Sequence, residues 1–82
     1  MTLGAKSDGT LVAMHVEALG DAGCYINMSP PVMYKTATLG PGPYKVEHVD
    51  YNAVAVLTNN PHTGSMRGFG TPQAIFALEN AM

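Results

Sequence analysis

From Thr10 to Ala18 the chain alternates with period two: Val12, Met14, Val16 and Ala18 fall on one side, and Leu11, Ala13, His15 and Glu17 on the other. This pattern predicts a half-buried strand with the first set turned to the core. Residues 2–7 suit a short strand, and Ser7-Asp8-Gly9 suits a tight reversal because an Asp-Gly pair accepts positive φ. Together they predict a β-hairpin. Gly20-Asp21-Ala22-Gly23 then breaks the alternation with residues that permit a bend or bulge.

Ser29-Pro30-Pro31 marks a helix start, with Ser29 as the cap and proline in the first turn, and predicts a short helix from Pro31 to Leu39. Gly40-Pro41-Gly42-Pro43 ends it, since proline has no amide proton and clashes with a continuing helical turn. Tyr44 to Leu57 reads as extended. Its second half, Ala53-Val54-Ala55-Val56-Leu57, is apolar on both faces, as in a strand covered on both sides. Residues Asn59 to Gly64 form a loop by composition, and Arg67-Gly68-Phe69-Gly70 a second one. Thr71, as cap, and Pro72 open a last helix that runs to Met82. That helix holds Ala74, Ile75, Phe76, Ala77 and Leu78 in succession, so it is apolar on nearly all sides and belongs inside something larger. The predicted fold class is α+β: a short β-hairpin and strands with one or two short helices, in a single partial domain over residues 1–82.

Composition agrees with a partial unit. Charged residues make up 12% of the 82 residues, whereas about 25% is usual for a soluble domain. A domain this small buries only about 60–65% of its unfolded surface, so its core is limited. The net charge is −2, and Lys6, Lys35, Lys45 and Arg67 are scattered, which excludes a basic track for nucleic acid. One cysteine, Cys24, makes no internal disulfide and suits a reducing compartment, so a cytoplasmic location is expected. No apolar run approaches the roughly 20 residues that span a bilayer, and residues 1–9 lack the regions of a signal peptide, so no membrane partner is expected. His15, His48 and His62 show no metal-ligand spacing with one another or with Cys24, and no metal ligand is assigned. His15 and His48 read as sheet residues, Cys24 as a small packed side chain, and methionines such as Met14, Met28 and Met33 as core filler.

The segment with chemistry is Gly64-Ser65-Met66-Arg67-Gly68-Phe69-Gly70-Thr71-Pro72-Gln73. Gly68 and Gly70 allow backbone amides to approach a ligand closely, and the helix start that follows favours negative charge. The same residues also read as a tight strand-to-helix connection in which glycine serves backbone geometry alone. A small anion- or phosphate-binding module and a structural, subunit-contacting piece are therefore both open readings.

Arg67-Gly68-Phe69-Gly70-Thr71-Pro72-Gln73 resembles the Arg-Gly-Phe-Gly-x-Pro-Gln motif of the molybdenum hydroxylases, the xanthine dehydrogenase and aldehyde oxidase family. Three further strings resemble that family in the same order. They are Gly4-Ala5-Lys6-Ser7-Asp8-Gly9-Thr10-Leu11, Asp21-Ala22-Gly23-Cys24-Tyr25 and Gly42-Pro43-Tyr44-Lys45-Val46. The resemblance covers nearly the whole chain but a small slice of the family's molybdopterin-binding subunit, and so implies a fragment of a larger molybdopterin-binding domain. The family's Gly-Phe-Gly-Gly loop and its C-terminal glutamate base are not in this sequence, so no catalytic residue is assigned.

The resemblance also implies an activity and its parts. Family members hydroxylate an N-heterocycle or an aldehyde with oxygen from water, using a molybdenum-molybdopterin cofactor, and pass electrons to iron–sulfur and FAD centres in partner domains or subunits. By resemblance, Ser65, Met66, Arg67 and Gly68 line the cofactor through the backbone, and Phe69 packs against a planar substrate, with plain core packing as its alternative. Lys35 stands where purine-oxidising members have a substrate-binding arginine; it keeps the charge without the planar fork. The partners implied are the remainder of the molybdopterin subunit, the iron–sulfur and flavin parts, and a small-molecule substrate. The isolated chain is expected to be inactive, without cofactor, and to form a homo-oligomer through exposed edges.

Overall fold

The period-two segment becomes the central strand of a mixed three-stranded sheet. In the computed structural model, which describes residues 1–82, the order along the chain is β1 (Thr2–Ala5), β2 (Leu11–Gly23), α1 (Ser29–Leu39), β3 (His48–Leu57) and α2 (Thr71–Ala81). The sheet order is β1-β2-β3. β1 and β2 form the expected antiparallel hairpin, with Leu3 opposite Met14. Its turn is held by the Lys6 and Gly9 amides, and Asp8 accepts the Thr10 amide at 2.9 Å. β3 runs parallel to β2, with Met14 opposite Val49 and Val16 opposite Tyr51. A parallel neighbour requires a crossover, and α1 supplies it.

β2 does not stop at Ala18. It runs on to Gly23 because β3 offers backbone partners along that length, and the glycine-rich stretch appears as an irregularity where Asp21 and Gly23 face Val56 and Leu57. β3 in turn begins at His48 rather than Tyr44. Tyr44 and Val46 leave the strand direction to pack against the core, and the Tyr44 hydroxyl donates to Glu79 on α2 at 2.9 Å.

Both helices lie on one face of the sheet. Met14, Val16 and Leu78 form the buried centre, with Leu3, Tyr44, Val46, Tyr51 and Ile75 packed around it. The face carrying Leu19, Val54 and Val56 is open, so β3 is covered on one side and not on both as its pattern predicted. The same holds for α2: Ala74 and Leu78 are buried, while Phe76 is exposed. Only 10 of 82 residues are buried, and the radius of gyration is 14.0 Å, against about 12 Å for a compact chain of this length. The result is a one-sided slab.

Two helix caps differ from expectation. α1 starts at Ser29, whose hydroxyl donates away from the helix to the Thr63 carbonyl at 3.1 Å. α2 starts at Thr71, with Gly70 in the left-handed region as its N-terminal flank and no side-chain cap. Cys24 is exposed rather than packed, and of the methionines Met14 is core whereas Met28 and Met66 are exposed. His15 and His48 lie on β2 and β3 as expected, with His15 Nδ1 2.8 Å from an Asp50 carboxylate oxygen. No helix is long and apolar enough to cross a membrane.

Candidate functional site

Parallel strands deliver their following loops to one edge of the sheet, where α/β proteins commonly place ligands. β2 and β3 both end at this edge, at Gly23 and Leu57, and the chain from Thr58 to Gly70 runs across it to α2.

The first half of that crossing is fastened to the end of β2. Asp21 accepts on one carboxylate oxygen the Gly23 amide at 2.8 Å and the Thr58 hydroxyl at 2.6 Å, and on the other the Asn60 side-chain amide at 2.5 Å. The Thr63 hydroxyl donates to the Asp21 carbonyl, and the Thr63 amide donates to the Ala22 carbonyl at 3.2 Å. Ser29 adds its bond from the first turn of α1. The Thr58 hydroxyl, then Asn60, then the Gly23 amide hold the Asp21 carboxyl below its ordinary range by favouring the charged form. Gly23 has φ 73° and lies against Pro61 and His62, where any side chain would strike backbone. Glycine is required there both for its backbone angle and for the close approach.

The second half is fastened at Gly70. This residue is buried, with φ 89°, and a side chain on it would meet the Thr36 hydroxyl and the Val32 carbonyl of α1. Thr36 itself is buried and donates to Val32 at 2.9 Å. Gly70 therefore sits directly on the α1 backbone. Lys35 precedes Thr36 on α1 and Phe69 precedes Gly70 in the loop, so each is one residue along the chain from this contact.

Ser65, Met66, Arg67 and Gly68 span the gap between these anchors and are exposed. The loop curls back once: the Met66 carbonyl accepts the Phe69 amide at 2.9 Å, and the Gly68 carbonyl accepts the Thr71 amide at 3.0 Å. The amides of residues 65 to 68, all in exposed residues, donate to no protein acceptor. Such a row of unengaged donors between two fixed ends fits an oxygen-rich ligand, because fixed backbone donors need no ionisation to bind it. Gly68 has φ 92°, and Phe69, at φ 52°, is the one non-glycine residue with positive φ. Phe69 is half-buried, and Lys35 is exposed on α1. Gln73, at the end of the motif, instead lines a cavity of about 360 Å³ with Glu17, Val32, Thr36, Tyr51 and Gly70. Burial there pushes the Tyr51 phenol up.

Sequence reasoning located the loop but not its fasteners. Asp21, Thr58, Asn60 and Thr63 carry the anchoring bonds; the available signal was an acidic residue in a glycine-rich strand end with hydroxyl and amide side chains after the next strand.

A model of the molybdopterin cofactor-binding domain family matches residues 1–82. The chain is 44% identical over 79 residues to the nicotinate dehydrogenase large molybdopterin subunit of Eubacterium barkeri, covering 96% of this chain and 19% of that protein. It is 37% identical over 76 residues to a probable xanthine dehydrogenase subunit of Bacillus subtilis, covering 93% and 10% respectively. It is 33% identical over 78 residues to an aldehyde oxidoreductase of Megalodesulfovibrio gigas, covering 95% and 9%. The chain thus spans a fifth or less of these relatives' length.

Proposed function

The chain belongs to the molybdopterin cofactor-binding domain family, and on that premise we propose that it is a segment of a xanthine dehydrogenase-like molybdenum hydroxylase. The observation that carries this reading is the family motif placed as an exposed loop whose amides at residues 65 to 68 are unengaged. When bound, the molybdenum-molybdopterin group supplies a two-electron oxidation in which a substrate C–H becomes C–OH with oxygen from water. That oxidation releases two electrons and two protons, and the electrons would pass to iron–sulfur and FAD centres in the remaining parts of the enzyme.

This chain's residues bind and orient. Ser65, Met66, Arg67 and Gly68 offer backbone donors to the cofactor, held in place by the fixed ends of the loop. Phe69 presents its ring to a planar substrate, and its half-buried position leaves part of the ring available. Lys35 contributes a point charge. A single ammonium lacks the bidentate match of arginine and suits a substrate that carries or develops negative charge at one oxygen. The 44% identical relative is named for nicotinate, an N-heterocycle with a carboxylate, which supports an anionic N-heterocycle over a neutral aldehyde. No residue among the 82 matches the family's glutamate base, and on this reading the isolated chain is inactive.

Elemental analysis of the enzyme purified with this segment in place, followed by turnover of an N-heterocycle in ¹⁸O-labelled water, tests the reading. Near-stoichiometric molybdenum and labelled product are expected. An enzyme free of molybdenum yet active, or product oxygen drawn from dioxygen, would refute it.

A further inference from the structure

The carboxylate of Asp21 is exposed and pairs with no cation, yet it gathers three donors from three separate places: its own strand end, the residue after β3, and the loop beyond. Its carbonyl takes a fourth from Thr63, the residue before Gly64. Gly64 touches nothing within 4 Å of where a side chain would begin, so the clasp is the last fixed point before the exposed loop.

From this geometry we infer that Asp21 is a positioning residue, whose carboxylate clasp on Thr58, Asn60 and Gly23 sets where the 65–68 loop starts and so where its amides point. The inference rests on the proposed function only for what the loop binds. A chain segment fixed at both ends explores far fewer conformations than one fixed at one end, and so loses less entropy when its donors engage a ligand. Gly70 on α1 is one end; without the Asp21 carboxylate the other end keeps its backbone bonds at Thr58, Asn60 and Thr63 and the Ser29 bond, but no side chain fixes Thr58 and Asn60 to the end of β2. The lowered Asp21 carboxyl agrees, since it reports bonds made to the charged form.

The chemistry allows a reciprocal test. In Asp21→Asn the retained oxygen still accepts from Gly23 and Thr58, but the charge that strengthens these bonds is lost and the new amide meets an acceptor only if Asn60 turns its own amide over. Adding Asn60→Asp restores a donor and an acceptor across the same pair. In the ¹⁵N-labelled 82-residue chain, Asp21→Asn should speed exchange of the Cys24 and Thr63 amides, which donate to Asn60 and Ala22, by about tenfold. The resonances of residues 65–68 should shift, and the Lys6 amide in the hairpin turn should be unchanged.

The double variant should return all of these toward the parent values. Unmoved 65–68 resonances, or a double variant that fails to restore them, overturn the inference. If Asp21→Asn also raises exchange at Lys6, so that the whole chain loosens, Thr58→Val removes a single donor and must move the same loop resonances, or the inference fails. Molybdenum content of the longer enzyme carrying Asp21→Asn reads the functional assignment separately. Loss of metal with a loosened loop supports both, whereas full metal with a loosened loop overturns the cofactor role and leaves the clasp standing.

Discussion

Replacing Gly70 by alanine tests whether the loop is seated on α1. At φ 89° an alanine leaves its favoured region, which costs about 1–2 kcal/mol for an L-residue in left-handed backbone. Its methyl would also meet the Thr36 hydroxyl and stand 2.7 Å from the Val32 carbonyl. The carbonyl belongs to helix backbone and cannot turn aside, so overpacking adds about 1–3 kcal/mol. The sum, roughly 2–5 kcal/mol, is a large part of the ~4–12 kcal/mol ordinary for a domain of this size.

Two glycines separate the contributions. Gly9 has φ 87° with no atom within 4 Å of the added methyl, so Gly9→Ala carries the backbone cost alone. Gly64 has neither positive φ nor a neighbour, so Gly64→Ala should be neutral, or stabilise by up to about 1 kcal/mol through a less flexible unfolded chain. Urea titration of the three variants should give the order Gly64→Ala, Gly9→Ala, Gly70→Ala from most to least stable. A Tm drop of roughly 4–8 °C per kcal/mol gives a second readout. A Gly70→Ala no worse than Gly9→Ala would show that the loop does not rest on α1.

Other outcomes follow from the same geometry. In the longer enzyme, Phe69→Leu should keep molybdenum while lowering kcat/KM for an N-heterocycle by several-fold to about tenfold, roughly 1.4 kcal/mol; parallel loss of metal, fold and activity would mark Phe69 as core. Lys35→Met should slow turnover of anionic substrates and spare small aldehydes, measured by steady-state kinetics on both, because only the former need a cation there. The Asp21 carboxyl is lowered in the folded chain, so the clasp's contribution is complete above the ordinary value of 3.8 and is lost as pH falls through the lower folded value. An NMR titration with its midpoint at or above 3.8 would contradict it. The isolated 82-residue chain should hold no molybdenum and should self-associate through the open β3 edge and the face carrying Leu19, Val54 and Val56; a compact monomer in sedimentation at high concentration would refute the association.

Local physics made most of the elements legible. The alternation at Val12 to Ala18, the Asp8-Gly9 reversal and the proline and glycine block at residues 40–43 act within a few residues of themselves, and each appears where the pattern places it. The segment at 67–73 was legible as a loop and helix start because glycine accepts positive φ and proline fixes φ in a first helical turn, whereas its chemistry was legible only through the resemblance to a family motif. What the sequence alone left undecided depended on partners distant along the chain. The ends of β2 and β3 were settled by their parallel pairing; Ser29 does not cap because its hydroxyl is turned to Thr63 while Met28 flanks α1, and Thr71 does not because Gly70 flanks α2. The clasp at Asp21 joins residues 37 and 39 positions apart, and the seat of Gly70 on Thr36 joins α1 to the loop before α2. Hydrogen bonds and steric contacts of this kind have no local periodicity. They arise only when the sheet brings two strand ends to one edge, and there tertiary structure alone sets the position of the loop.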